Sequence, residues 1–203
     1  MDCVLTVSGI QKRRAEELFS PVSFTLVPSQ GLGVFGHNGC GKTTLLDIIA
    51  GLERPSAGRV QAPTQIGYVM QQPGFQDSLS FRDNLLAEAH LAGLRGRAAR
   101  EQVEQVATRL EITPYWKKRY ATGSAGMKGR LGLAAALLGA PPLLLLDEAF
   151  NYLDEQTVAV ARRVLAEEKQ RGVALVMVSH DRLDFVGLCE QVLLLPQANF
   201  AVL

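Results

Sequence analysis

The most distinctive segment of the chain is Gly36-His37-Asn38-Gly39-Cys40-Gly41-Lys42-Thr43-Thr44. Its glycines let the backbone turn and approach an anion closely, so that successive N–H groups and a helix N-terminus face phosphate oxygens. In this G-x-x-x-x-G-K-[ST] pattern, Lys42 can reach the β- and γ-phosphates and the Thr43 hydroxyl can ligate Mg²⁺. We therefore predict that this segment binds the phosphates of a nucleotide.

The residues on both sides of the segment fit a strand that leads into a helix. Residues 32–35 predict a buried strand, and residues 42–50 predict a helix that Gly51 ends. The pattern is only moderately specific by itself, and this context strengthens it. A glycine-rich turn without a ligand is the alternative, but such a turn has no need for the lysine.

The composition argues against several classes of protein. The chain has 203 residues, 47% of them hydrophobic, and a formal net charge of +1, so its charge gives no reason to expect nucleic-acid binding. Its 3 cysteines show neither a disulfide framework nor zinc spacing. No signal segment is apparent, and glycines and prolines interrupt the apolar stretch 131–146. We expect a cytoplasmic protein that lies at the cell membrane only through a partner.

The apolar pattern predicts an α/β fold with a mostly parallel sheet, flanking helices, an antiparallel β portion and an α-helical insertion. Strands are predicted at residues 3–7, 22–27, 32–35, 66–70, 143–146, 174–178, 191–195 and 200–203, with a candidate short strand at 59–61 and a polar turn at 11–17. Further helices are predicted across 77–119, at 131–138, and from Asp154 as N-cap to Gln170. We therefore place a nucleotide-binding core at 1–72 and 128–203 and a helical subdomain at 73–127.

Two carboxylates and a histidine follow predicted strands. Asp147 and Glu148 end an apolar run, and the carboxyl end of a buried parallel strand is where doubly wound sheets bind ligands. Asp147 could hold Mg²⁺ opposite Thr43, while Glu148 could polarise a water aimed at the γ-phosphate. His180, after another strand, could sense that phosphate. The plainer alternatives are a helix cap and a structural histidine.

The same residues stand in the order and spacing of one known family. From about Val4 to Leu195, the chain resembles the nucleotide-binding subunit of ATP-binding cassette (ABC) proteins. The matching segments are the phosphate loop (Walker A), Gln71 (Q-loop), Gly123-Ser124-Ala125-Gly126-Met127 (signature loop), Leu143–Asp147 with Glu148 (Walker B and catalytic glutamate), Asn151-Tyr152-Leu153-Asp154 (D-loop) and Ser179-His180-Asp181 (switch histidine).

This resemblance implies the P-loop NTPase fold and a Mg²⁺-dependent ATPase. Two such subunits, as a homodimer or a heterodimer, would enclose two ATP molecules, and the signature loop of each would complete the site of the other. Hydrolysis would then drive a separate transmembrane permease. The implied catalytic residues are Lys42, Glu148 and His180, and the implied metal-binding residues are Thr43, Gln71 and Asp147.

The signature loop departs from the family pattern Leu-Ser-Gly-Gly-Gln. Ser124 and Gly126 match, but Ala125 adds a methyl group where a glycine lets N–H groups approach the γ-phosphate, and Met127 lacks the amide of glutamine. Two interpretations stand. The first is a functional variant of the loop, which is favoured because alanine is the smallest chiral residue that can replace glycine. The second is a loop with impaired function.

Two further departures lie near the nucleotide. Ala149-Phe150 replaces the usual Pro-Thr after the catalytic glutamate, and Asn151-Tyr152 replaces small residues. We expect these changes to alter dimer contacts rather than chemistry. The family stacks adenine on an aromatic residue after the first strand, but here no aromatic precedes Phe19. The guanidinium of Arg13 or Arg14 could stack on the base instead.

Two hypotheses concern single segments. The position of Cys40 near a helix N-terminus predicts a lowered thiol pKa and alkylation that ATP blocks. Residues 73–85, with Phe75 and Phe81, are a candidate groove for a permease helix, although both rings could instead belong to the core of the helical subdomain.

The leading interpretation is the ATPase subunit of an ABC transporter. The alternatives are a non-transport ABC ATPase and a weakly active, regulatory half of a heterodimer, the latter suggested by Ala125 and Met127.

Overall fold

The computed structural model describes residues 3–71, 74–151 and 153–202. In these ranges the strands are β1 (Leu5–Arg13), β2 (Glu17–Leu26), β3 (Gly31–Phe35), β4 (Ala57–Gln61), β5 (Ile66–Val69), β6 (Leu143–Asp147), β7 (Ala174–Ser179), β8 (Gln191–Leu194) and β9 (Asn199–Val202). The α-helices are α1 (Lys42–Ile49), α2 (Phe81–Leu91), α3 (Gly96–Arg109), α4 (Ala125–Ala136) and α5 (Glu155–Gln170). Short 3₁₀ helices cover Thr113–Tyr115, Tyr120–Thr122 and Arg182–Phe185.

The strands form two sheets, and the larger one positions the predicted site. Its order is β5-β6-β7-β3-β8-β9, in which β9 is antiparallel to β8 and the other pairs are parallel. The smaller sheet, β2-β1-β4, is antiparallel. The α/β class with an antiparallel portion is therefore confirmed. Because β3, β6 and β7 run in one direction, their carboxyl ends lie at one edge of the sheet.

Both faces of the larger sheet are covered, which explains why its central strands are apolar without alternation. Along β6, Leu143 and Leu145 pack with α1 and the smaller sheet, whereas Leu144 and Leu146 pack with the other helices. The same division holds along β7. Successive side chains point to opposite faces of a strand, so a strand buried on both sides needs apolar residues at every position.

The segment predicted as helical contains α2 and α3, which pack against each other and against α4. Phe81 is fully buried there, with its ring centroid 5.0 Å from that of Tyr115 in an edge-to-face arrangement. Phe75 is half-buried against Tyr120. The proposal that Phe81 lines a permease groove is therefore wrong, because its ring belongs to the core of this helical region. Pro73 lies outside the described residues.

Three element boundaries differ from the sequence-based prediction. The strands of the first hairpin extend into the predicted turn 11–17, since Arg13 pairs with Glu17 and only residues 14–16 remain between β1 and β2. Helix α4 begins at Ala125 rather than at residue 131. The predicted subdomain boundary at residues 127–128 therefore falls in the first turn of α4, and the domain division stays a prediction.

In the described ranges, no helix combines the length and the apolar character needed to cross a membrane.

Candidate active site

The phosphate loop connects β3 to α1 and has the backbone that its glycines allow. Gly39 and Gly41 adopt φ angles of 83° and 95°, a left-handed conformation that other residues rarely adopt. The Lys42 side chain is only 6% exposed and curls back over the loop. Its ammonium group donates to the carbonyl oxygens of Gly36 at 2.9 Å and His37 at 3.2 Å. A buried cation is thus already held among the backbone groups that would surround a phosphate.

Cys40 lies under the loop and not at its surface. Its side chain is 3% exposed, and a Cβ on Gly36 would lie 2.6 Å from its sulfur. Burial raises the pKa of the Cys40 thiol, and the nearby Lys42 ammonium offsets only part of that effect. The prediction of a reactive, low-pKa thiol is therefore wrong, because desolvation outweighs the cation and the backbone N–H groups.

Thr43 and Asp147 are brought together across two elements. The Thr43 hydroxyl, in the first turn of α1, donates to Oδ2 of Asp147 at the end of β6 at a distance of 2.8 Å. Asp147 is 3% exposed, and this burial is the main reason that its pKa is raised. The Thr43 hydrogen bond acts in the opposite direction. A hydroxyl and a carboxylate at this spacing are hard oxygen donors that suit Mg²⁺.

Glu148 immediately follows β6 and lines the cleft, whereas Asp147 lies behind Thr43. Its backbone has a φ of 49°, and its N–H donates to the carbonyl of Val178 on β7 at 3.0 Å. One carboxylate oxygen, Oε1, lies 3.9 Å from Nδ1 of His180, and the other, Oε2, accepts a hydrogen bond from the side-chain amide of Asn151. Sequence reasoning missed this contact, because it predicted that Asn151 alters dimer contacts and not the chemistry.

These groups line one open cleft of about 700 Å³. Its described lining comprises Arg14, Leu18, Asn38, Gly39, Gly41, Lys42, Thr43, Thr44, Gln71, Glu148, Asn151 and His180. Six of the nine predicted phosphate-loop residues therefore line the cleft together with Glu148, His180 and Gln71, while Gly36, His37 and Cys40 do not, and Asp147 lies immediately behind Thr43. Arg14 lines the cleft and Arg13 does not, while Phe19 is buried beneath Gly41 and is not available for stacking.

The predicted signature loop lies outside this lining. Ser124 is the N-cap of α4, and its hydroxyl accepts from the N–H of Met127 at 3.2 Å. Ala125 is exposed and Gly126 is buried. A Cβ on Gly126 would lie 2.7 Å from Oγ1 of Thr157 and 2.9 Å from Oδ2 of Asp154. The signature loop therefore packs on the start of α5 within the same chain.

Asp154 caps α5 as predicted, accepting from the N–H of Thr157 at 2.7 Å. Tyr152, in the same predicted D-loop, lies outside the described residues. Phe150, which departs from the family pattern, is buried beneath the guanidinium of Arg162, which also donates to the carbonyls of Leu183, Asp184 and Val186. Phe150 and Arg162 thus connect the loop after β6 to the segment that follows His180.

Comparison with known proteins places this cleft in a family. The family model described as ABC transporter matches residues 19–151. The chain is 35% identical over 202 residues to the cytochrome c biogenesis ATP-binding export protein CcmA of Methylococcus capsulatus, covering 93% of this chain and 96% of that protein. It is 33% identical over 190 residues to the methionine import ATP-binding protein MetN 1 of Pseudomonas fluorescens, covering 85% of this chain but 57% of that protein.

Solved structures show the same fold. The ATP-binding subunit of an ABC transporter superimposes with a TM-score of 0.88 at 21% identity, covering 98% of this chain and 90% of the other. A dimeric ATP-binding cassette, bound to ADP and Pi in a post-hydrolysis state, gives a TM-score of 0.86 at 20% identity and covers 98% of each chain. The matched family model, the curated relatives and the converged cleft together show that the chain belongs to the ABC transporter family, as an ATP-binding and ATP-hydrolysing subunit.

Proposed function

We propose that the cleft binds the ATP phosphates between the phosphate loop and the strand ends, and that Glu148 is the general base. The observation that carries this proposal is the convergence of Lys42, Thr43 and Glu148 on one cleft, with Asp147 bonded to Thr43. Lys42 would exchange its bonds to the Gly36 and His37 carbonyls for bonds to the β- and γ-phosphates. Such charge-assisted hydrogen bonds are the strong ones in proteins.

Three oxygen-bearing side chains would hold Mg²⁺ with the nucleotide: Thr43, Asp147 and Gln71. Their donor set fits this ion, since hydroxyl, carboxylate and amide oxygens are the ligands that Mg²⁺ prefers. Among the described residues, no group of three or more His, Cys, Asp or Glu side chains is placed to bind a metal. Waters and substrate phosphates would supply the remaining ligands of the ion. When bound, Mg²⁺ would neutralise charge on the phosphates.

Glu148 would take the proton of the attacking water. The water oxygen would bond to the γ-phosphorus as the bond to the β–γ bridging oxygen breaks, which leaves ADP and inorganic phosphate. His180, 3.9 Å from the Glu148 carboxylate and more than half exposed at the cleft, would contact the γ-phosphate. Asp147, buried behind Thr43, would serve binding and not proton transfer.

A second ATP-binding subunit would complete the site. The cleft is open, its described lining contains no signature-loop residue, and Ser124 and Ala125 are exposed. The loop of a partner, Ser124 to Met127 in a homodimer, would close over the γ-phosphate and bring Asp154 to the interface.

A separate membrane permease is the proposed partner for transport, and the subunit would lie at the cytoplasmic face of the cell membrane through it. The relatives described above carry names of export and import proteins, which favours transport over a non-transport role. Leu52 and Met70 are 62% and 42% exposed and line one groove of about 640 Å³. Since Met70 immediately precedes Gln71, an apolar permease segment bound there would adjoin the nucleotide cleft.

Substitution of Lys42 tests the proposed phosphate site. Lys42→Ala removes a charged donor worth roughly 1.5–3 kcal/mol, so ATP affinity should fall about tenfold or more and turnover should nearly vanish. The measurements are equilibrium ATP binding and phosphate release. Lys117→Ala, which removes an exposed lysine outside the cleft, is the matched control. Unchanged affinity and turnover in Lys42→Ala would overturn the assignment.

A further inference from the structure

Asn151 makes the only side-chain hydrogen bond to the Glu148 carboxylate found among the described residues. Its Nδ2 donates to Oε2 of Glu148, and its backbone N–H donates to the Glu148 carbonyl at 3.0 Å. The side-chain amide of Asn151 therefore holds the Glu148 carboxylate, and its backbone N–H holds the Glu148 carbonyl. The two residues belong to the loop that follows β6, and both line the nucleotide cleft.

This contact distinguishes the two oxygens of the carboxylate. Oε2 is occupied by the Asn151 amide, whereas Oε1 faces the His180 ring at 3.9 Å. An amide can donate to an ionised carboxylate but has no charge of its own to add to the site. The hydrogen bond therefore fixes the direction of Oε1 while leaving that oxygen free to accept a proton.

The backbone of Glu148 has an uncommon conformation. Its φ of 49° lies in the left-handed region, which is uncommon for residues other than glycine. Glu148 lines the cleft, whereas Asp147 lies buried behind Thr43. The Glu148 side chain is 16% exposed, and Nδ1 of His180 lies 3.9 Å from its Oε1. The surrounding residues therefore restrict this side chain, and the Asn151 amide adds the hydrogen bond that holds Oε2 and leaves Oε1 towards His180.

From this geometry we infer that Asn151 is a positioning residue, which holds the Glu148 carboxylate so that Oε1 receives the proton of the attacking water. The inference rests on the proposed role of Glu148 as general base. Catalytic groups lose rate steeply when misplaced, and a displacement of about 1 Å can cost about 10²-fold. Asn151 is not assigned a contact with the reacting atoms, so its contribution should pass entirely through Glu148.

The first test compares variants at position 151 in steady-state ATP hydrolysis. Asn151→Ala should lower kcat about tenfold or more while KM for ATP changes less than about twofold. Asn151→Ser, which keeps a shorter donor, should recover part of the rate. Asn199→Ala removes an amide from an exposed position on β9 and is the matched control. A fall in ATP affinity with kcat unchanged would overturn the inference and make Asn151 a binding residue.

The second test separates positioning from damage to the fold. In a Glu148→Gln background there is no base to position, so adding Asn151→Ala should reduce the residual rate less than about twofold. Independent losses that multiply in the double variant would overturn the inference. Thermal unfolding of each variant with ATP identifies a folding defect, and a defect that accounts for the whole loss of rate would also overturn it. If Glu148→Gln alone leaves hydrolysis unchanged, the proposed base fails, which the single variant reveals separately.

Discussion

Arg14 and Leu18 extend the cleft beyond the phosphate loop, towards the place where a nucleoside would lie. The Arg14 guanidinium is 62% exposed and lies 3.7 Å from Glu53, which also forms an ion pair with Lys12 at 2.8 Å. Glu53 thereby helps to hold a planar cation at the cleft, whose lining also contains the half-buried Leu18. With Phe19 buried, the side chain available to stack on a base in this region is a guanidinium and not an aromatic ring.

Arg14→Ala should therefore weaken nucleotide binding through the base. An exposed cation–π contact is worth about 0.5–1 kcal/mol, so ATP affinity should fall roughly two- to fivefold. Binding of inorganic tripolyphosphate, which has no base, should not change. Titration of both ligands measures the difference, with Arg13→Ala as the neighbouring control. Equal losses for the two ligands would place Arg14 at the phosphates instead.

Single residues show where sequence reasoning succeeded and where it failed. The phosphate loop, Asp147, Glu148 and His180 could be placed because fixed spacing and strand ends determine their positions. The burial of Cys40 could not be predicted, because the neighbouring sequence does not reveal which side of the loop the sulfur faces. The prediction that Phe81 lines a permease groove failed because the burial of its ring depends on Tyr115 and Tyr120, which lie far along the chain.

The start of helix α4 was also mispredicted, because it depends on contacts with residues distant in the sequence. Its first half contains Gly126 and Gly129, which dilute the apolar pattern and hide the start of the helix. A Cβ on Gly129 would lie 2.8 Å from Cδ2 of Leu153, and one on Gly126 would crowd Asp154 and Thr157. The glycines are therefore explained by close packing on the start of α5, a tertiary contact that no local pattern contains.

Gly126→Ala should destabilise the chain. The added methyl overpacks a site whose Asp154 side chain is already committed as an N-cap, and overpacking costs about 1–3 kcal/mol. For a chain of this size, Tm should fall roughly 2–4 °C for each kcal/mol. Ala125→Gly, at the exposed neighbouring position, is the control and should have little effect on Tm. Scanning calorimetry compares the two; equal melting temperatures in both variants would contradict the packing argument.

Taken as a whole, the molecule is a sheet covered on both faces, whose open end carries the nucleotide cleft. The apolar runs predicted the buried strands, whereas their order in the sheet is known only from the structure. The signature residues Ser124 and Ala125 are exposed and lie outside the described lining of the cleft, which agrees with the proposal that a second subunit completes the site. We therefore propose that ATP joins two subunits into a dimer, and that ATP hydrolysis, with Glu148 as the base, separates them.

Glu148→Gln tests that claim most directly. The substitution keeps the shape of the side chain, removes the base and removes a negative charge that faces the phosphates. Hydrolysis should fall by about 10²–10⁴-fold while ATP still binds.

Size-exclusion chromatography with light scattering should then show a dimer of the Glu148→Gln variant with ATP and a monomer without nucleotide. The wild-type chain, which hydrolyses its ATP, should show less dimer under the same conditions. A variant that remains monomeric with ATP and hydrolyses it at the wild-type rate would contradict both the catalytic role of Glu148 and the shared site.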